Sequence, residues 1–90
     1  MKKVKQFLMA VMEENRLKGE ISQIMKRYPD ASFEAEVKIE DYNEIIERME
    51  KIIVLRKSIN LDARKEEEVI LEIREIVRDM QALEGTSINK

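Results

Sequence analysis

The chain has 90 residues, 43% of them hydrophobic and 40% charged, with a net charge of −2, which suits one domain with a modest core. It contains no His and no Cys, so the usual neutral-pH acid–base group, thiol nucleophiles, disulfides and the commonest metal ligands are all missing. Two Gly and one Pro among abundant Glu, Lys, Arg, Ile and Met favour amphipathic helices over disorder or a turn-rich β fold.

A first helix is predicted over about 3–28. Val4, Phe7, Leu8 and Val11 make one apolar stripe, and Leu17, Ile21, Ile24, Met25 and Tyr28 make a second. The two stripes do not share one phase, so the helix is expected to shift its contact face near Asn15 and Gly19. The basic start followed by Phe7 to Met12 has a signal-peptide look. That apolar run is too short, and two glutamates follow it without a small-residue cleavage site. No run approaches the ~20 residues of a membrane span, and the expectation is a soluble cytoplasmic protein. Pro29 ends the helix, because the residue before a proline is pushed out of helical geometry.

Residues 29–40 form the predicted connector. Phe33, Ala35, Val37 and Ile39 alternate there with Glu34, Glu36, Lys38 and Glu40, the period of a strand. Asp41, with Glu44 three residues on, resembles a capping box that opens a second helix over about 41–60. Its stripe is Tyr42, Ile45, Ile46, Met49, Ile52 and Ile53, and Glu44/Arg48 and Glu47/Lys51 are i,i+4 pairs on its solvent side.

A third helix, over about 62–84, starts at Asp62 and carries Val69, Ile70, Ile73, Ile76, Val77, Met80 and Leu83. Gly85 is expected to stop it, leaving a tail at 85–90. One heptad register passes through helices 2 and 3 as if they were a single coiled-coil strand. Arg56 and Glu66 are poor seam residues in that register, which favours a break near Asn60. Met25, Met49 and Met80 lie on apolar stripes and are expected to pack in the core.

Charge is unevenly spread. Residues 1–28 hold seven Lys/Arg against three acids, and residues 61–90 hold five against eight. A basic first helix and an acidic third one are complementary when packed antiparallel, either within one chain or between two.

Nothing in the pattern nominates a catalytic, cofactor-binding or metal-ligating residue. Carboxylates are plentiful, but a bundle metal site pairs Glu with His, and there is no Gly-rich phosphate loop. Residues 62–76, "DARKEEEVILEIREI", resemble the last-helix entry of small all-helical chorismate mutases. The Leu-Arg-x-x-Ile-Asp pattern of that family's first helix has no counterpart here.

Two further resemblances bear on function. The stretch "FEAEVKIEDYNEIIERMEKI" is similar in pattern to ribbon-helix-helix DNA-binding proteins, with a strand at 33–39. That resemblance implies a dimer whose outward strand side chains enter the major groove. Glu34, Glu36 and Lys38 would hold those positions, and two carboxylates per strand oppose phosphate binding. The stretch "VKQFLMAVMEENRLKGEISQIMKR", a connector, and then "DYNEIIERMEKIIVLRKSINLDA" resemble the opening of the septicolysin-like group of small bacterial helical proteins. It implies an α-helical hairpin whose second helix ends in an Ile-Asn turn, here Ile59-Asn60, and assigns no residue a role. Leu61-Asp62-Ala63 stands where that group commonly has Arg-Thr-Asn.

The expectation is therefore a single all-α domain over 1–90: an antiparallel helical hairpin plus a third helix, as a three-helix bundle or a helical dimer. Its function is expected to be non-enzymatic protein–protein interaction or assembly, as a homodimer that binds no nucleic acid and no membrane. A dimeric ribbon-helix-helix regulator is the alternative.

Overall fold

A computed structural model describes residues 2–28 and 37–88 and shows an all-α fold. The helices are α1 (Lys2–Met25), α2 (Ile39–Ser58) and α3 (Arg64–Ile88). Helix α2 is central: α1 packs on one side of it and α3 on the other, while α1 and α3 do not pack together. Ion pairs give the directions. Glu14 meets Arg56, Glu20 meets Arg48 and Arg27 meets Asp41, so α1 runs antiparallel to α2. Lys57 meets Glu67 and Glu50 meets Arg74, so α3 also runs antiparallel to α2. Helices α1 and α3 are therefore parallel to each other.

The same pairs define a stagger. Glu14 of α1 lies level with Arg56 and Glu66, so the first turns of α1 run past the α2–α3 turn. At the other end α3 and the start of α2 finish nearly level, since Glu50 beside Arg74 places Ile39 at about the height of Gly85. The extents are 62 × 23 × 18 Å and the radius of gyration is 16.0 Å, against about 12 Å for a compact 90-residue domain.

The core follows the expected stripes only in part. Leu17 and Ile24 from α1, Tyr42, Ile45, Ile46 and Ile52 from α2, Ala63 just before α3, and Ile70 and Val77 from α3 are buried. Of the expected core methionines, Met49 and Met80 are half-buried, but Met25 is exposed.

Several boundaries differ from the expected ones. Regular helix in α1 stops at Met25, and the chain winds down through Arg27 N–H to Ile24 O (3.1 Å) and Tyr28 N–H to Met25 O (3.0 Å), the tightened last turn common at helix ends. Of the strand expected at 33–39, residues 33–36 lie outside the described residues. Val37 belongs to no regular element, Lys38 is extended, and Ile39 already belongs to α2. Among the described residues there is no strand.

The cap of α2 is Lys38, which provides no side-chain cap, and not Asp41. Asp41 lies in the first helical turn, where a carboxylate suits the positive end of the helix dipole. It is free for that position because Arg27 and the Tyr28 hydroxyl hold it. The expected Glu44/Arg48 side-chain pair is also replaced, since Arg48 reaches Glu20 of α1 at 2.8 Å.

The break near Asn60 is present and has a clear cause. Asn60 adopts φ 61°, the left-handed conformation that Asn tolerates better than most residues. Leu61 N–H donates to Arg56 O (2.8 Å) and Asn60 N–H to Lys57 O (3.2 Å), the two bonds of a Schellman motif. Asp62 then opens α3 by accepting the Arg64 N–H at 3.0 Å. That backbone bond, more than the Arg64 side chain, holds the Asp62 carboxyl below its ordinary range.

At its far end α3 continues through Gly85 to Ile88. Among the described residues no glycine has positive φ, so Gly85 does not form the left-handed cap expected of it. A glycine inside a helix costs about 1 kcal/mol, and that does not oblige the helix to stop.

Two substitutions test the local account. A Cβ on Gly19, in mid-α1, meets nothing within 4 Å, so Gly19→Ala raises stability by about 0.5–1 kcal/mol in urea denaturation. Asn60→Gly is near neutral in the same assay, whereas Asn60→Val, which forces a branched side chain to positive φ, costs roughly 1–2 kcal/mol.

Candidate interaction surface

No catalytic constellation was expected, and the described side chains assemble something different: two polar nodes that fix the helices, and an apolar face left uncovered. The first node is Arg56. Its Nε donates to Asp62 O (2.7 Å), and its Nη1 donates to both carboxylate oxygens of Glu14 (3.2 Å each). Glu66 of α3 lies 3.5 Å from its Nε. One half-buried guanidinium thus joins α1, the α2–α3 turn and α3. Burial pushes the Glu14 carboxyl up, but Lys18 and Arg56 together outweigh it and hold the group below its ordinary value of 4.5.

The second node closes the connector. Asp41 is only 8% exposed; it accepts from Arg27 Nη1 at 2.8 Å and from the Tyr28 hydroxyl, while Lys38 N–H donates to the Tyr28 oxygen at 3.3 Å. The Asp41 bond pushes the Tyr28 phenol above its ordinary range. Tyr28 and Ile39 pack against a small core of Val37, Tyr42 and Val77, which Ile73, Ile76 and Met80 also border. Lys38, one of the three positions that a DNA-reading ribbon would use, is exposed beside this node. Glu34 and Glu36 lie outside the described residues.

The uncovered face is on α1. At 100° per residue, Ala10, Leu17 and Ile24 share the face toward α2, and Val4, Phe7, Leu8, Val11 and Met12 share another, turned by roughly 150°. The phase shift legible in the sequence is this rotation. Val4, Phe7, Leu8 and Met12 are 43–70% exposed, as is Met9 at the margin. Asn15, where the contact face shifts, is exposed as well. Lys3 and Lys5 flank the apolar face, and neither makes an ion pair among the described residues. Lys18, one heptad beyond Val11 and so in line with this face, is paired with Glu14 at 3.0 Å.

No protein-family model, curated protein or solved structure matches the chain. The reading of this surface therefore rests on its own chemistry.

Two other surfaces frame it. Val54 and Leu71, both exposed, line an open groove between α2 and α3 with Ile53 and Ile70, and Arg74 and Glu50 bridge it at 2.8 Å. On α3, Glu68, Glu72, Glu75 and Asp79 fall at i, i+4, i+7 and i+11, an exposed acidic stripe on the side away from the core. Beside it run Val69, Ile76 and Leu83, seven residues apart, with Val69 39% and Leu83 70% exposed. The abundance of carboxylates in the sequence does not by itself single out this stripe, although the four-three-four spacing of its acids is the available signal. Among the described residues no group of acidic side chains converges as a metal site, and no helix is long and apolar enough to cross a membrane.

The Arg56 node has a pH signature. Its carboxylate, Glu14, faces Lys18 and Arg56, and Arg56 also faces Glu66. A carboxyl with a lowered folded pKa adds stability above its unfolded value of about 4.5, and that stability is lost as pH falls through the folded pKa. Urea midpoints measured between pH 7 and pH 3 fall on acidification, and Glu14→Gln flattens the part of that fall below pH 4.5. Arg56→Met, which strands Glu14 without its main cross-helix partner, lowers stability at pH 7 by about 1–3 kcal/mol.

Proposed function

We propose that this chain is a non-enzymatic helical interaction module that acts by self-association, and that the N-terminal half of α1 is the surface it uses. The observation that supports this reading is the uncovered apolar face of Val4, Phe7, Leu8 and Met12, with half-buried Val11 among them, flanked by Lys3 and Lys5, which make no ion pair among the described residues. Contiguous apolar surface of this kind on a small protein marks a contact site more often than chance exposure does.

The face also explains why self-association is needed. The shared heptad register of helices 2 and 3 would, in one continuous helix, leave an apolar seam for a second chain. Those helices are separate, and although Val54, Leu71 and Leu83 are also exposed on them, the densest run of exposed apolar side chains lies on α1. Turning it toward α2 would expose Leu17 and Ile24, because one straight helix cannot present both faces to one neighbour. The resemblance to septicolysin-like proteins forms part of the same proposal: it supports the α1–α2 hairpin and assigns no site.

Light scattering coupled to size exclusion tests the reading over a tenfold concentration range. The expected mass is twice the 10.7 kDa of the chain, decreasing on dilution. Phe7→Glu with Leu8→Glu gives the monomer mass at every concentration. It leaves helical content and the urea midpoint of the monomer unchanged within about 0.5 kcal/mol, since neither side chain is part of the intrachain core. A wild-type chain that stays monomeric throughout would sink the proposal.

A further inference from the structure

Going beyond self-association, we propose that the N-terminal half of α1 lies on anionic membrane surfaces, with Val4, Phe7, Leu8 and Met12 in the lipid. The membrane then takes the place that a second copy holds in water.

Charge is the first argument. None of the exposed side chains of α1 is acidic. Its three carboxylates, Glu13, Glu14 and Glu20, are all half-buried and all in ion pairs. Lys3 and Lys5, and Lys26 just past the helix, are exposed and make no ion pair among the described residues. The first turn holds no acid, so the positive end of the helix dipole adds to the lysines. Exposed acids lie instead on α3, at Glu68, Glu72, Glu75 and Asp79, and α3 does not pack against α1. A negative surface therefore draws the chain in by its α1 side. A second α1 would cover the apolar side chains but leave these lysines without a counter-charge, which anionic headgroups supply.

Shape is the second argument. At 100° per residue, Val4, Leu8 and Met12, with Phe7 at the edge, lie on the arc turned away from α2. Asn15, Lys18, Ser22 and Lys26 continue that arc along the helix. The first turns of α1 also run past the α2–α3 turn, so no other described helix stands beside them. What they present is one convex helix, apolar over roughly 12 Å and then polar and basic. That profile matches a plane of charged headgroups over hydrocarbon. A nucleic acid would use the lysines and leave Phe7 and Leu8 in water. Lying on a membrane needs no spanning helix, so the lack of one among the described residues does not oppose it.

Sedimentation with vesicles tests the proposal, comparing phosphatidylcholine containing about one-third phosphatidylserine with phosphatidylcholine alone. The chain is expected to sediment with the mixed vesicles about tenfold more strongly than with the neutral ones, and less strongly as salt rises. Lys3→Glu with Lys5→Glu removes most of that difference, and Phe7→Glu with Leu8→Glu removes binding to both. The chain has no cysteine of its own, so a fluorophore on a single introduced cysteine reads the position. A label at Val4→Cys is quenched by nitroxide-bearing lipid, whereas a label at Leu83→Cys, exposed on α3, is not.

No sedimentation with the mixed vesicles at low salt overturns the proposal and leaves the dimer mass measured without lipid unaffected. Binding that survives Phe7→Glu with Leu8→Glu is attraction of lysines to phosphate alone, which a DNA duplex would also give, and it overturns the lipid-embedded face. Quenching at position 83 and not at position 4 moves the contact to another helix and overturns it too. A chain that sediments with the mixed vesicles but stays monomeric without lipid sinks self-association and upholds this proposal.

Discussion

The guanidinium of Arg56 is the constraint on which the arrangement of the three helices depends. A cation held in a half-buried site is costly unless charges and carbonyls surround it, and its partners come from different parts of the chain. Glu14 fixes the height of α1, the Asp62 carbonyl fixes the turn, and Glu66 fixes the first turn of α3. The stagger follows. With position 14 tied to position 56, the α1 residues before about Ala10 have no α2 residue beside them. Their apolar side chains are left for another surface.

Arg56 also shows why a heptad is an ambiguous signal. In a continuous helix, Arg56 and Glu66 would both occupy seam positions, where isolated charges are unfavourable. Folding the chain back at Asn60 brings the two together as a pair. The same residues that speak against a long coiled coil are those that hold the hairpin. Asn60 alone could not have decided the matter, because Asn is tolerated inside helices; its left-handed conformation and the two Schellman bonds are tertiary outcomes of that fold-back.

What was legible in the sequence was local and periodic. The helix count, the break near Asn60, the opening role of Asp62 and the phase shift in α1 all arise from spacing and turn chemistry within a few residues. What was not legible needed a partner from elsewhere in the chain. Asp41 has every mark of an N-cap, yet Tyr28 and Arg27 claim its carboxylate and the helix begins earlier. Arg48 sits four residues from Glu44 but turns to Glu20 of α1. Gly85 has the residue type of a helix stop without the backbone geometry of one. On the candidate surface, the apolar residues of α1 were visible as a stripe, but whether they faced inward or outward depended on the register that Arg56 imposes.

The latch at Asp41 has an evolutionary consequence. Tyr28 and Lys38 are tied to each other and to α2 on either side of residues 29–36, so the hairpin does not rely on that segment to bring its ends together. Closure entropy rises only by about 0.6 kcal/mol for each doubling of such a loop. The segment is thus free to lengthen, shorten or change composition over generations while the helices keep their register. Related chains would be expected to diverge there first, and a peptide tag or a small domain could be spliced in with little disturbance to the bundle.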